Sequence, residues 1–99
     1  MVVLIKYKIL PKKSEVAIAA LTSLIEIVLE EPHFVSIHMN ADLNDPNYIL
    51  LIEEWKDADY YNGEHKKTPH VLEFMRTSQE FLDGPPAISH WETIKTFTA

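Results

Sequence analysis

Extended and helical segments in the order βαββαβ predict an α+β fold, an antiparallel four-stranded sheet with its helices on one face. Three observations carry this. The apolar pattern switches from extended to helical period at Ser14 and back at His33; Asn44-Asp45-Pro46-Asn47 supplies turn residues between two extended runs; and Pro11, Pro32, Gly84 and Pro85-Pro86 mark boundaries. The topology is that of a ferredoxin-like sandwich, and its 99 residues make one domain over positions 1–99, with no room for a second core.

Val2 to Leu10, rich in β-branched and apolar residues and closed by Pro11, reads as the first strand. A helix follows from Ser14, taken as its N-cap, with Val16, Ala20, Leu24 and Ile27 at helical spacing, until Glu31-Pro32 stops it. His33 to Asn40 alternates as a strand and pairs in a hairpin with Tyr48 to Trp55. Asp57 is placed to cap a short helix over Ala58 to Asn62. Thr68 then caps a longer helix with Pro69 at its first position, carrying the stripe Leu72, Phe74, Met75, Phe81 and Leu82 and ending at Gly84. A last strand over Ala87 to Phe97 completes the order.

Val2-Val3-Leu4-Ile5 and Ile49-Leu50-Leu51-Ile52 are apolar on both faces of the sheet, whereas the helices cover one. The uncovered face predicts a homodimer packed sheet to sheet. The alternative is a mixed face solvated by Lys6, Lys8 and Glu54.

Composition removes several classes of function. Without cysteine there is no disulfide, Cys-type zinc site, thiolate nucleophile or thiol redox relay. A formal charge of -6, with no basic cluster beyond Lys12-Lys13 and Lys66-Lys67, disfavours nucleic acid and anionic membrane surfaces. No apolar run approaches transmembrane length, and a cytoplasmic location is the default expectation. With Gly63 and Gly84 the only glycines, no phosphate-cradling loop can be built, and no serine lies in a nucleophile-elbow motif. No cofactor is expected.

What remains is proton chemistry in an apolar pocket. Glu53 shares a strand face with Leu51 and Trp55, so if that face meets the helices its carboxyl leaves water and its pKa rises unless a donor reaches it. Otherwise Glu53 merely orients a helix. His65 and His70 lack the i, i+4 spacing of a helical metal pair and no acidic third ligand stands at a matching offset, so no metal site is expected. They fit better as general bases among aromatic walls from Trp55, Tyr61 and Phe74, with Pro69 breaking the chain between them. His38 and His90 are candidates to join them from other strands, while His65 is equally readable as exposed on a polar loop and His33 as a surface residue.

Tyr48-Ile-Leu-Leu-Ile-Glu53-Glu-Trp55-Lys-Asp, then His65-Lys-Lys-Thr-Pro69-His70, then Gly84-Pro85, resembles the antibiotic biosynthesis monooxygenase superfamily of dimeric α/β-barrel proteins. The resemblance spans nearly the whole chain, including the turn at Lys12, the Glu31-Pro32 helix end and Asp45-Pro46, although a glycine common after that first proline is His33 here. It implies a dimeric barrel and, among its branches, cofactor-independent oxygenases of quinols or polyketide aromatics, sugar-phosphate isomerases and haem-degrading enzymes. Of the polyketide branch's pocket, Trp55 and Tyr61 match, Leu51 stands in place of an asparagine, and the helix arginine falls near Met75 with Arg76 adjacent. The haem-degrading branch is disfavoured, since Tyr7, Glu64 and Phe74 stand where it needs asparagine, tryptophan and histidine. The His-Lys-x-Thr-Pro-His run is closer to the quinol-oxidising and isomerising branches.

The reading that follows is a cofactor-independent monooxygenase of a small aromatic or quinol-type substrate, with His65 or His70 removing a proton and the anion reacting with oxygen. Trp55, Tyr61, Phe74, Glu53 and His38 are expected to bind the substrate. The alternatives are a non-catalytic dimeric module that binds a small apolar or aromatic ligand, and an oxygen-independent isomerase.

Overall fold

The computed structural model describes all residues from Met1 to Ala99. β1 (Val2–Lys8), α1 (Ser14–Val28), β2 (Phe34–Ala41), β3 (Tyr48–Trp55), α2 (Ala58–Asn62), α3 (Pro69–Thr77) and β4 (Ala87–Trp91) follow one another, with short 3-10 turns at His65–Lys67 and Ser78–Glu80. All pairings are antiparallel in the order β2-β3-β1-β4, so the expected ferredoxin-like sandwich is present as an open sheet.

Alternation decides which face is buried. Val3, Ile5 and Tyr7 of β1 and Ile49, Leu51, Glu53 and Trp55 of β3 turn toward the helices, where Ala17, Leu21 and Val28 of α1 with Tyr61 and Phe81 complete the core. Slipping the β1·β3 register by one residue would replace this set with Leu4, Lys6, Leu50 and Glu54, so burial alone specifies the pairing.

Several boundaries differ from the sequence reading, each for a physical reason. β1 ends at Lys8, and residues 9 and 10 bond instead to the segment after α3, through Leu10 N–H to Phe81 O and an Ile9·Leu82 bridge. Lys13, not Ser14, holds the N-cap position of α1, because the Ser14 hydroxyl donates to Pro46 O across the domain. α1 ends at Val28, and β2 begins one residue later than expected, after His33 has taken a left-handed φ of 70°, which a glycine would adopt without strain.

α3 stops well before Gly84. The hydroxyls of Thr77 and Ser78 donate back to the carbonyls of Glu73 and Met75, and the chain tightens into 3-10 geometry that drives Phe81 into the core. Thr68 precedes α3 as expected, but its hydroxyl donates to His65 O rather than capping the helix. Asp57 does cap α2, accepting from Tyr60 N–H at 3.0 Å. β4 ends at Trp91 and not at Phe97, because Trp91 pairs with Val2 and β1 offers no further residue beyond it.

Candidate functional site

A cavity of about 790 Å³ lies between the sheet and the helices, lined mainly by apolar side chains. Leu24, Ile25 and Val28 come from α1, Val71, Leu72, Phe74 and Met75 from α3, and Ile5, Ile37, Leu51 and Ile88 from the strands. Its polar wall is formed by few groups: Tyr7, Glu53, Tyr61 and His65, with Lys66 and Ser78 beyond them. A concave apolar chamber with a small convergent polar set is the form of an organic-ligand site.

His65 is placed by the 3-10 turn at 65–67, which Thr68 closes by donating both its N–H and its hydroxyl to His65 O. The residue is 7% exposed, not a loop residue in solvent, and its ring stacks on Tyr61 at 4.9 Å between centroids and rests on Trp55 at 4.6 Å. Its Nδ1 meets both oxygens of Glu31, at 2.9 and 3.0 Å. His70, the second residue of α3, reaches the same carboxylate through Nε2 at 2.7 Å, and Tyr60 donates its hydroxyl to it at 2.8 Å. Pro69 therefore does bring the two histidines together, but around a third residue.

Glu31 is the hub the sequence reading passed over. It was visible only as the residue before the helix-stopping Pro32; three partners at separations of 29, 34 and 39 residues leave no periodic trace. Burial by itself would raise its pKa, but the hydrogen bonds from His70, His65 and Tyr60 outweigh that and hold the carboxyl below the usual range. An ionised carboxylate only accepts, so each ring presents an N–H to it. In the neutral form of the ring, Nε2 of His65 is then the atom with the lone pair. No protein atom bonds this Nε2, it is not sealed from solvent, and His65 is one of the residues that line the cavity. Glu31, His65 and His70 are joined as hydrogen-bond partners.

The other acidic group is Glu53. Its Oε1 accepts from Trp55 Nε1 at 2.9 Å while Oε2 has no protein partner and faces the cavity. Burial raises its pKa, the Trp55 hydrogen bond draws it back in part, and the Glu31 charge raises it again, so the carboxyl stands above its ordinary range. The tryptophan N–H is a donor the sequence reading did not consider, and it does not offset the desolvation. The hydroxyls of Tyr7 and Tyr61 are pushed upward chiefly by burial and then by Glu53. Tyr60, outside the cavity, is raised to about 12 by burial and its bond to Glu31.

The remaining candidates separate. Tyr61 and Phe74 line the cavity. Trp55, only 1% exposed, lies behind the wall as a support for Glu53 and His65 rather than as part of it. His70 bonds Glu31 and does not line the cavity. His38 pairs with Ile52 on the opposite, outer face of the sheet and does not reach the site. His90 faces Tyr61 edge-on at 6.0 Å. Leu51 and Met75 line the cavity at the positions where the polyketide branch has asparagine and arginine, and Arg76 points outward to Glu73.

Replacing Trp55 with phenylalanine removes the donor to Glu53 together with the pyrrole part of an indole only 1% exposed. It is expected to cost about 2–4 kcal/mol, from the lost hydrogen bond and the space left behind, read by urea denaturation at neutral pH. Unchanged stability would mean that the Nε1–Glu53 bond contributes nothing.

Fold and cavity together define a ferredoxin-like domain with a chamber between sheet and helices. Residues 1–77 match the family model for antibiotic biosynthesis monooxygenase, and the chain belongs to that family. It is similar to an uncharacterized protein of Synechocystis sp., 31% identical over 94 residues, which cover 92% of this chain and 61% of that protein; the chain thus spans less than two thirds of that relative's length. Among solved structures, a conserved protein of Methanosarcina mazei is 27% identical with a TM-score of 0.81, over 89% of this chain and 86% of that one. A Nitrosomonas europaea protein assigned to antibiotic biosynthesis monooxygenase superposes with a TM-score of 0.87 at 20% identity, over 94% and 88% of the two chains, a likeness of fold.

Proposed function

We propose that the protein is a cofactor-independent monooxygenase of a small aromatic, quinol-type substrate, in which His65 is the base. The observation that carries this is His65 itself: its Nδ1 is held by an ionised carboxylate and its Nε2 stands unpartnered at the wall of an apolar chamber. A phenolic hydroxyl at that nitrogen loses its proton to Nε2, and the imidazolium that forms is stabilised by Glu31, which is the division of labour of a general base and its orienting carboxylate. Tyr61 and Phe74 hold the ring, and the electron-rich anion reacts directly with oxygen. Turnover of a hydroquinone panel, with and without oxygen, tests the reading; equal inertness in both would refute it.

Leu51 and Met75 favour a second reading. By replacing polar residues of the polyketide branch they leave a more apolar chamber, suited to a module that binds without reacting. That reading predicts ligand-dependent melting with no product.

The functional unit in either case is a homodimer packed through the outer sheet face, forming the two-sheet barrel. Val2, Leu4, Leu50 and Ile52 lie side by side there, with Ile52 37% and Trp91 58% exposed, and no helix of this chain covers them. Dimers are common in the family. Light scattering is expected to give a dimer for the native chain and a monomer for Ile52→Lys, whose ammonium cannot be buried unpaired. A native monomer at micromolar concentration would remove the barrel.

A further inference from the structure

Beyond the base, and apart from the exposed side chains of Lys66 and Gln79, the cavity wall holds three more polar atoms that no protein group satisfies. These are Oε2 of Glu53 and the hydroxyls of Tyr7 and Tyr61, set among otherwise apolar side chains. Glu53 and His65 flank one indole: Glu53 accepts from its Nε1, and the imidazole lies on its ring at 4.6 Å. Both are anchored on the side away from the chamber and open toward it. A ligand ring between them has one edge at a nitrogen lone pair and another at a carboxyl oxygen.

We infer that Glu53 is a second catalytic residue of this cavity, the acid that protonates the departing oxygen when the O–O bond breaks on a phenol whose para carbon carries hydrogen. This rests on the monooxygenase reading above and names the step that His65 cannot perform alone. After His65 takes the phenolic proton, the para carbon bonds to oxygen and the imidazolium returns its proton to the peroxide. His65 then removes the hydrogen from that carbon. The C–H electron pair becomes the new C=O bond, the O–O bond breaks, and the outer oxygen leaves with the proton of Glu53 as water. Phenol and oxygen have become quinone and water; the carbon is oxidised, oxygen is fully reduced, and solvent carries one proton from His65 back to Glu53.

This last step needs a base and an acid on the same substrate at once. Of the three groups that could be the acid, Glu53 has an unpartnered oxygen and accepts from the indole that carries the His65 ring. Burial raises its carboxyl above the ordinary range, so it holds a proton longer than a free carboxyl yet gives it up more readily than the two buried tyrosine hydroxyls. Lys66, which also lines the chamber, rides over the Tyr61 ring at 5.6 Å and is exposed, so it is no neutral donor in the dry part of the cavity.

The test uses 1-naphthol and the full-length chain. Bound without oxygen, it is expected to show the naphtholate absorption band in the native protein and equally in Glu53→Gln, whose amide oxygen still accepts from Trp55. In air, the native protein forms 1,4-naphthoquinone, and Glu53→Gln is expected to lose about 100-fold or more in kcat with KM within two-fold, the range for removing a general acid. Glu53→Asp, which retains an acid, should recover part of that loss. Quinone formation by Glu53→Gln at the native rate overturns the role of Glu53 while leaving the base intact. Loss of the naphtholate band in Glu53→Gln also overturns it, reducing Glu53 to a support of the pocket. Absence of the band in the native protein overturns the monooxygenase reading and this inference with it.

Discussion

Glu31→Ala is expected to lower the melting temperature at neutral pH by roughly 15 °C, from a loss of about 3 kcal/mol in a domain of this size. The substitution removes one side chain but strands three: the Tyr60 hydroxyl, Nδ1 of His65 and Nε2 of His70 lose their acceptor together. A buried donor left unpaired costs about 1–3 kcal/mol, and His65 and Glu31 have side-chain exposures of only 9% and 6%, so little solvent can replace the bond. Glu31→Gln, which still accepts at one oxygen, should lose less.

The pH dependence of this deficit has a definite sign. The Glu31 carboxyl is held below its ordinary pKa in the folded state, so the stability it contributes is present above the unfolded carboxylate value and is lost as pH falls through the folded one. Native and Glu31→Ala proteins should therefore converge in stability toward acid pH. Glu53 works in the opposite direction, since its raised pKa favours the folded state while protonated and that contribution is lost as pH rises through the folded value. Melting curves across the pH range check both; an unchanged melting temperature for Glu31→Ala at neutral pH would show that the hub is not structural.

His65→Gln is expected to reduce kcat by about 100- to 10,000-fold on any phenol the native protein oxidises, with ligand affinity changed only a few-fold. Glutamine retains a group able to meet Glu31 and nearly fills the space against Tyr61 and Trp55, but it has no lone pair of comparable basicity to offer the cavity. The anaerobic phenolate band should disappear with the activity. If the variant still ionises the ligand, another group is the base, and His70, whose contact is with Glu31 outside the chamber, does not qualify on geometry. A native protein that binds phenols without ionising them would instead favour the binding module.

The fold was legible because its signals are local and repeated. Extended runs closed by turn residues and apolar residues at helical spacing give each element its type, but not its buried side. Leu4, Leu50 and Ile52 are as apolar as Ile5, Ile49 and Leu51, and on α1 Val16 and Ile27 of the expected stripe are 52% and 50% exposed while Ala17, Leu21 and Val28 are buried. Element ends were less legible wherever a distant contact set them: Ser14 gives its hydroxyl to Pro46, and β4 stops where β1 has no residue left to pair. The site was legible in part. Residue types and the break at Pro69 single out His65 and His70, but nothing in the spacing of Glu31 marks it as the carboxylate between them, and the alternation that put Trp55 on one face with Glu53 could not tell a wall from the support behind one.

The sequence by itself determined the βαββαβ order, the sharing of one strand face by Glu53 and Trp55, the absence of thiol chemistry and the membership of histidines and aromatic rings in one segment, because each depends on residue type or on periodicity along the chain. Only the tertiary structure decided that a carboxylate at the end of the first helix holds both histidines, that one of them lines the chamber while the other does not, and that His38 lies on the outer side of the sheet. The contacts of the carboxylate join residues 29 to 39 positions apart, and the face of His38 follows from its pairing with Ile52 in the strand register; neither is written in any local run of the chain.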